Sequence, residues 1–123
     1  MVKTILLIED IKNVRESLAD ILERKGFHIE QAGNGMEALR KLETLKPDLI
    51  ITDVGMPPGM DGYETCRQIK QVKKIPVTVI LYTATFDKVD AVRAKEAGAD
   101  DFVVKGTEPS ELLNAIEMAM KKI

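Results

Sequence analysis

Five side chains suited to chemistry share one setting in this 123-residue sequence, each standing where a short apolar run gives out. Ile5–Ile8 runs into Glu9-Asp10, Leu49–Ile51 into Thr52-Asp53, Val77–Leu81 into Tyr82-Thr83-Ala84, and Phe102–Val104 into Lys105. A single acid at the end of an apolar run is ordinarily a solvated loop charge. Three acids brought together are another matter, because unit charges about 4 Å apart repel by roughly 4 kcal/mol per pair at a typical effective dielectric. A divalent cation reverses that sign, and an all-oxygen set with few carboxylates suits Mg2+ or Mn2+. Metal and Lys105 would neutralise oxygen charge, Thr83 would donate to one oxygen, and one carboxylate would remain free as a nucleophile. Such a set is equipped to handle a phosphoryl group.

For these residues to meet, the apolar runs must be neighbouring strands. They are short and rich in Val, Ile and Leu, as strands buried on both faces are. Phe27–Ala32 differs, since Phe27-His28-Ile29-Glu30 alternates apolar with polar and so predicts a half-exposed edge strand. Helical patterns lie between the runs. Ile11, Val14, Leu18, Ile21 and Leu22 form one face, stopped by Gly26. Leu39, Leu42 and Leu45 form a second, closed by Pro47, and Tyr63, Cys66, Ile69 and Val72 a third. Val89, Val92 and Ala97 make a weaker one that ends at Gly98. The last uses Leu112, Leu113, Ile116, Ala119 and Met120, with Pro109 at the first helical position. Five strands alternating with five helices imply right-handed crossovers and a doubly wound parallel α/β sandwich. Such sheets bind ligands at the carboxyl ends of their strands, where the five residues stand.

The length fits one domain, residues 1–123, around one core. Hydrophobic residues at 45% and charged residues at 31% describe an ordinary globule. A net charge of −2 offers no basic footprint and argues against direct nucleic-acid binding. The single cysteine, Cys66, cannot close an internal disulfide, which fits a reducing compartment. M-V-K-T-I-L-L-I is too short for a membrane span and lacks a signal cleavage site, so no membrane association and a cytoplasmic location are expected.

In their order and spacing, I-L-L-I-E-D, A-G-N-G-M-E-A-L, P-D-L-I-I-T-D, G-M-D-G-Y-E, P-V-T-V-I-L-Y-T-A and A-G-A-D-D-F-V-V-K resemble a response-regulator receiver domain of two-component signalling. The resemblance covers essentially the whole chain. It implies the flavodoxin-like (βα)5 sandwich with strand order 2-1-3-4-5. It further implies Asp53 as phosphoacceptor, with Mg2+ held by Glu9, Asp10, Asp53 and the carbonyl of Gly55. Thr83 and Lys105 would grip the phosphoryl group, and Thr83 and Phe102 would form the switch pair. The implied chain is a regulatory domain and not an enzyme in the usual sense. Its donor would be the phosphohistidine of a sensor histidine kinase or phosphotransfer protein, and slow self-hydrolysis would follow. Phosphorylation would shift the surface of the last two helices and the last strand to control a downstream output domain or protein.

The chain departs from that pattern in four places. Glu9 stands where Asp is usual, and its extra methylene either reaches the metal or crowds it. The loop G-M-P-P-G-M-D-G holds one residue more than usual. Gly106-Thr107 follows Lys105 in place of Pro-Phe, which predicts a less firmly aimed lysine. Phe102 carries no hydroxyl, which favours an inward ring. These departures motivate a rival reading, a receiver-like docking module indifferent to phosphate, although Asp10, Asp53, Thr83 and Lys105 are all present. G-N-G-M-E-A also fits a loose dinucleotide fingerprint, but it follows the half-exposed strand and leaves Glu9, Asp10 and Lys105 without a role. A phosphatase of the haloacid-dehalogenase type needs a second acid where Gly55 stands. His28 reads as an exposed bystander and Cys66 as a small core residue.

Overall fold

A computed structural model of the chain describes residues 2–55, 59–84, 87–106 and 109–122. The apolar runs form five strands: β1 (Thr4–Ile8), β2 (His28–Ala32), β3 (Leu49–Asp53), β4 (Thr78–Thr83) and β5 (Asp101–Val104). All pair in parallel in the order β2-β1-β3-β4-β5, as the sequence predicts. Between them run α1 (Lys12–Arg24), α2 (Gly35–Lys41), α3 (Gly62–Arg67), α4 (Lys88–Glu96) and α5 (Ser110–Lys121). A π-helical turn, Gln68–Val72, continues α3.

Side-chain alternation along the strands divides the core in two. Leu6, Ile8, Ile50, Val79 and Leu81 face Ala38, Cys66, Ile69 and Ala94 from α2, α3 and α4. Ile5, Leu7, Leu49, Ile51 and Ile80 face Leu18, Leu22, Leu112 and Ile116 from α1 and α5. The three central strands are therefore apolar at nearly every position, while edge strand β2 buries only Ile29 and Ala32. Gly26 stops α1 with φ of +99°, and Gly98 stands just past α4 with φ of +87°. Both occupy the left-handed region that a side chain would oppose. Among the described residues, no helix is long and apolar enough to cross a membrane.

Several local expectations shift. β3 ends at Asp53 and β4 at Thr83, the strand ends at which the sequence places them, whereas β4 begins at Thr78 and leaves Val77 before it. Ile11 and Val14 are exposed, Ile11 as the N-cap before α1, and the helix buries Leu18, Ala19 and Leu22 instead. Val72 is exposed because the wider π-turn carries it off the stripe of Tyr63, Cys66 and Ile69. α2 ends at Lys41, so Leu42 caps it and Leu45 follows it, both still packed on the core. Pro109 takes the N-cap position and Ser110 begins α5.

α4 differs most from its sequence pattern. It buries only Ala94, with Ala97 just beyond its end, while Val89 and Val92 lie 65% and 54% exposed. The valines sit roughly 150° around the helix from Ala94 at 3.6 residues per turn. Its rear is held by two bonds from the α3 segment, Gln71 Nε2 to the Glu96 carbonyl at 2.6 Å and Cys66 Sγ to the Ala97 carbonyl at 3.5 Å.

Candidate functional site: an acidic cluster braced by a lysine

Parallel register assembles the site. Ile8 pairs with Thr52, which sets Glu9 beside Asp53, and Asp53 in turn pairs with Tyr82. Thr83 pairs with Val104, and the backbone N–H of Lys105 donates to the Thr83 carbonyl at 2.6 Å. Four adjacent strands thus deliver their terminal residues to one edge.

There, carboxylate oxygens of Glu9, Asp10 and Asp53 lie within 4.8 Å of one another. Glu9 is 3% exposed, Asp53 half-buried and Asp10 exposed. Lys105 Nζ stands 3.1 Å from Asp53 Oδ1 and 3.4 Å from Glu9 Oε2. Glu9 Oε1 also accepts from the Ile11 N–H at 3.2 Å. Burial pushes the Glu9 carboxyl above its ordinary pKa, and the Asp53 charge pushes it further. Burial works against the charge on Lys105, yet Asp53 and Glu9 outweigh it and hold the ammonium above its ordinary value. One lysine therefore balances a carboxylate set that repels itself. An all-oxygen cluster of this kind, with one member open to solvent, fits a hard divalent cation.

Thr83 is buried at the end of β4, and Phe102 is half-buried against the cluster that includes Leu81 and Ala94. Gly55 is exposed, and a Cβ built there meets nothing within 4 Å. The doubled proline Pro57-Pro58 and Met56 lie outside the described residues. Met60 packs its side chain toward Gly35.

Three residues that matter here were missed from the sequence. Arg15 projects from α1 and donates from Nη1 to the Glu9 carbonyl at 2.8 Å and from Nε to Gln31 Oε1 at 3.2 Å. It fixes the backbone that carries Glu9 of the acidic cluster. Gly62 opens α3 immediately after its N-cap Asp61, whose Oδ1 accepts from the Glu64 N–H at 2.9 Å. A Cβ on Gly62 would stand 2.1 Å from the Asp53 carbonyl oxygen, so only glycine lets α3 start against that backbone. Its N–H donates to the Val54 carbonyl at 2.7 Å. The third is Tyr82, whose ring centroid lies 5.3 Å from Lys105 Nζ. The available signals were a glycine at a helix start, where propensity disfavours it, and an aromatic in an otherwise aliphatic strand.

Comparison with known proteins agrees with this geometry. The sequence profile of the response regulator receiver domain matches residues 5–117. The transcriptional regulatory protein AfsQ1 of Streptomyces coelicolor is 40% identical over 97% of this chain and 52% of its own length. The alkaline phosphatase synthesis transcriptional regulatory protein PhoP of Bacillus subtilis is 38% identical over 99% of this chain and 50% of its own. The chain thus spans about half the length of these curated relatives. Among solved structures, the receiver domain of a signal transduction histidine kinase from Syntrophus aciditrophicus superposes with a TM-score of 0.88 at 41% identity, covering 99% of this chain and 92% of that one. Response regulator TrrA of Thermotoga maritima, solved in complex with Mg2+-BeF, gives 0.85 at 36% identity over 96% and 99%. Fold, strand order, acidic cluster and sequence similarity converge: the chain belongs to the response regulator receiver domain family, the regulatory domains of two-component systems.

Proposed function

We propose that residues 1–123 act as one phosphoacceptor unit in which Asp53 takes a phosphoryl group from the phosphohistidine of a sensor histidine kinase or phosphotransfer protein. The observation that carries this reading is the Lys105 ammonium braced between Asp53 and Glu9, with Asp10 in reach of the same point. A carboxylate so placed keeps one oxygen available for in-line attack while fixed positive charge waits beside it. An Asp53 oxygen forms a bond to phosphorus, the phosphorus–nitrogen bond breaks, and the imidazole leaves to take its proton from solvent. Mg2+, or Mn2+, held by Glu9, Asp10, Asp53 and the Gly55 carbonyl, supplies positive charge that relieves the carboxylates and the phosphoryl oxygens. Lys105 stays with the phosphoryl oxygens, and Thr83 donates its hydroxyl to another. Attack of water on phosphorus later restores the Asp53 carboxylate and releases inorganic phosphate. Engagement of Thr83 draws the end of β4 inward, Phe102 turns into the space, and the surface of α4, β5 and α5 changes for a downstream output domain or protein. Contacts with nucleic acid belong to that output and not to this chain, whose net charge is −2. The working location is the cytoplasm.

The test is incubation with a small acyl phosphate and Mg2+, read by intact mass. The expected result is the gain of one phosphoryl group, abolished by Asp53→Asn or by chelation. A folded protein that gains none would overturn the reading in favour of phosphate-independent docking.

A further inference from the structure

Lys105 has a problem that its ion pairs do not solve. Its side chain is long and flexible, and exposed Gly106 follows it directly. Both carboxylates that hold its ammonium belong to the reacting cluster. When Asp53 is esterified by phosphorus, the 3.1 Å contact to Oδ1 must be remade, and the 3.4 Å contact to Glu9 changes with the charge around it. A lysine steadied only by groups that the reaction alters would lose its aim at the moment it is needed.

Tyr82 supplies a partner that the reaction leaves alone. It stands on β4 in register with Asp53 and one residue before Thr83. Its ring packs on the α1 and α5 side of the sheet against the cluster containing Ile51, Leu18 and Leu112. Lys105 Nζ lies over that ring, 5.3 Å from the centroid, inside the roughly 6 Å range in which an ammonium is held by a ring quadrupole. The ring has no part in the proposed transfer and carries no charge that the transfer changes, so its attraction for the ammonium is the same before and after it. Val14, Leu18 and Pro109 line the same cleft as Tyr82 and Lys105.

We propose that Tyr82 is a positioning residue for phosphoryl transfer, with its ring holding Lys105 over the Asp53 site independently of the charge on the carboxylates. The inference rests on the reading of Asp53 as phosphoacceptor, and its test is separable from that reading. Wild type, Tyr82→Phe and Tyr82→Leu are compared by two measurements. The first is the rate of Mg2+-dependent phosphorylation from a small acyl phosphate. The second is the NMR shift of the Lys105 side-chain methylene protons, which a ring beneath them displaces whether or not any phosphoryl group is transferred. Tyr82→Phe keeps the ring and is expected to stay within about twofold of wild type, while Tyr82→Leu slows the reaction by roughly 3- to 10-fold. The Lys105 shift is expected to persist in the Phe variant and vanish in the Leu variant. A Leu variant as fast as wild type, a Phe variant as slow as the Leu variant, or Lys105 resonances unmoved by loss of the ring would each overturn the proposal. A wild type that takes no phosphoryl group but shows the ring-dependent shift would sink the proposed function and leave the contact itself established.

Discussion

Replacing Gly62 with alanine probes how tightly α3 is built against the residue proposed to react. An alanine at the first turn of a helix normally gains up to about 1 kcal/mol over glycine through backbone propensity. Here the new Cβ would sit 2.1 Å from the Asp53 carbonyl oxygen, 2.7 Å from Val54 Cα and 2.9 Å from the Asp53 carbonyl carbon. All three are backbone atoms at the end of a central strand, so no side chain can swing aside. Relief to an ordinary contact requires a shift of about 1 Å in either the α3 start or the β3 end, and such overpacking costs roughly 1–3 kcal/mol or more. The 2.7 Å bond from the Gly62 N–H to Val54 would stretch with it. We therefore expect Gly62→Ala to destabilise by about 2 kcal/mol or more net of the propensity gain, a drop of roughly 1 M in the urea midpoint. Phosphorylation of Asp53 should also slow, because its backbone is what must yield. Gly55→Ala is the matched control: its Cβ meets nothing within 4 Å, and its stability should stay within about 0.5 kcal/mol of wild type. Urea melts of the three proteins decide the matter. A Gly62→Ala midpoint at or above wild type would refute the reasoning.

Two further perturbations bear on the interior and on the backbone of the acidic cluster. Arg15→Met keeps the aliphatic stem but removes the bonds to the Glu9 carbonyl and Gln31, at an expected cost of about 1–2 kcal/mol; calorimetry should show severalfold weaker Mg2+ binding, and unchanged affinity would mean that Arg15 only packs. Cys66 is fully buried, and burial pushes its thiol from 9.0 up to about 11. Because the folded-state value is the higher one, the associated stability is complete below pH 9.0 and is lost as pH rises toward about 11. The stability difference between wild type and Cys66→Ala should thus shift by roughly 2–3 kcal/mol against wild type across that window, and a constant difference would contradict the burial argument.

The sequence carried the site because its residues end strands, and parallel register leaves little freedom in which strand ends meet. Glu9, Asp53, Thr83 and Lys105 followed from that rule alone. What it could not carry were contacts set by tertiary approach. Arg15 looks like one more polar residue on the outer side of α1 until the carbonyl it caps is in view. Gly62 reads as turn composition, and only the distance to Asp53 shows why a methyl group is forbidden there. Val89 and Val92 misled for the opposite reason, since hydrophobic spacing suggested burial while two alanines make the actual contact with the sheet. The expectation of a less firmly aimed Lys105 came from Gly106 alone, and the ring one strand away was not legible in the sequence.

The uneven seating of α4 has a mechanical consequence. Its rear is anchored to the α3 segment through Gln71 and Cys66, whereas its forward turns, which lead out of the Thr83 edge, bury no large side chain. That makes it a lever whose pivot lies at the end away from the Thr83 edge. Nine residues span about 13.5 Å, so a tilt of only ~10° about the rear anchor sweeps the forward end through ~2 Å. The exposed valines travel with it. Motion of the forward turns about that anchor therefore displaces Val89 and Val92 at the surface while disturbing no large buried side chain of α4.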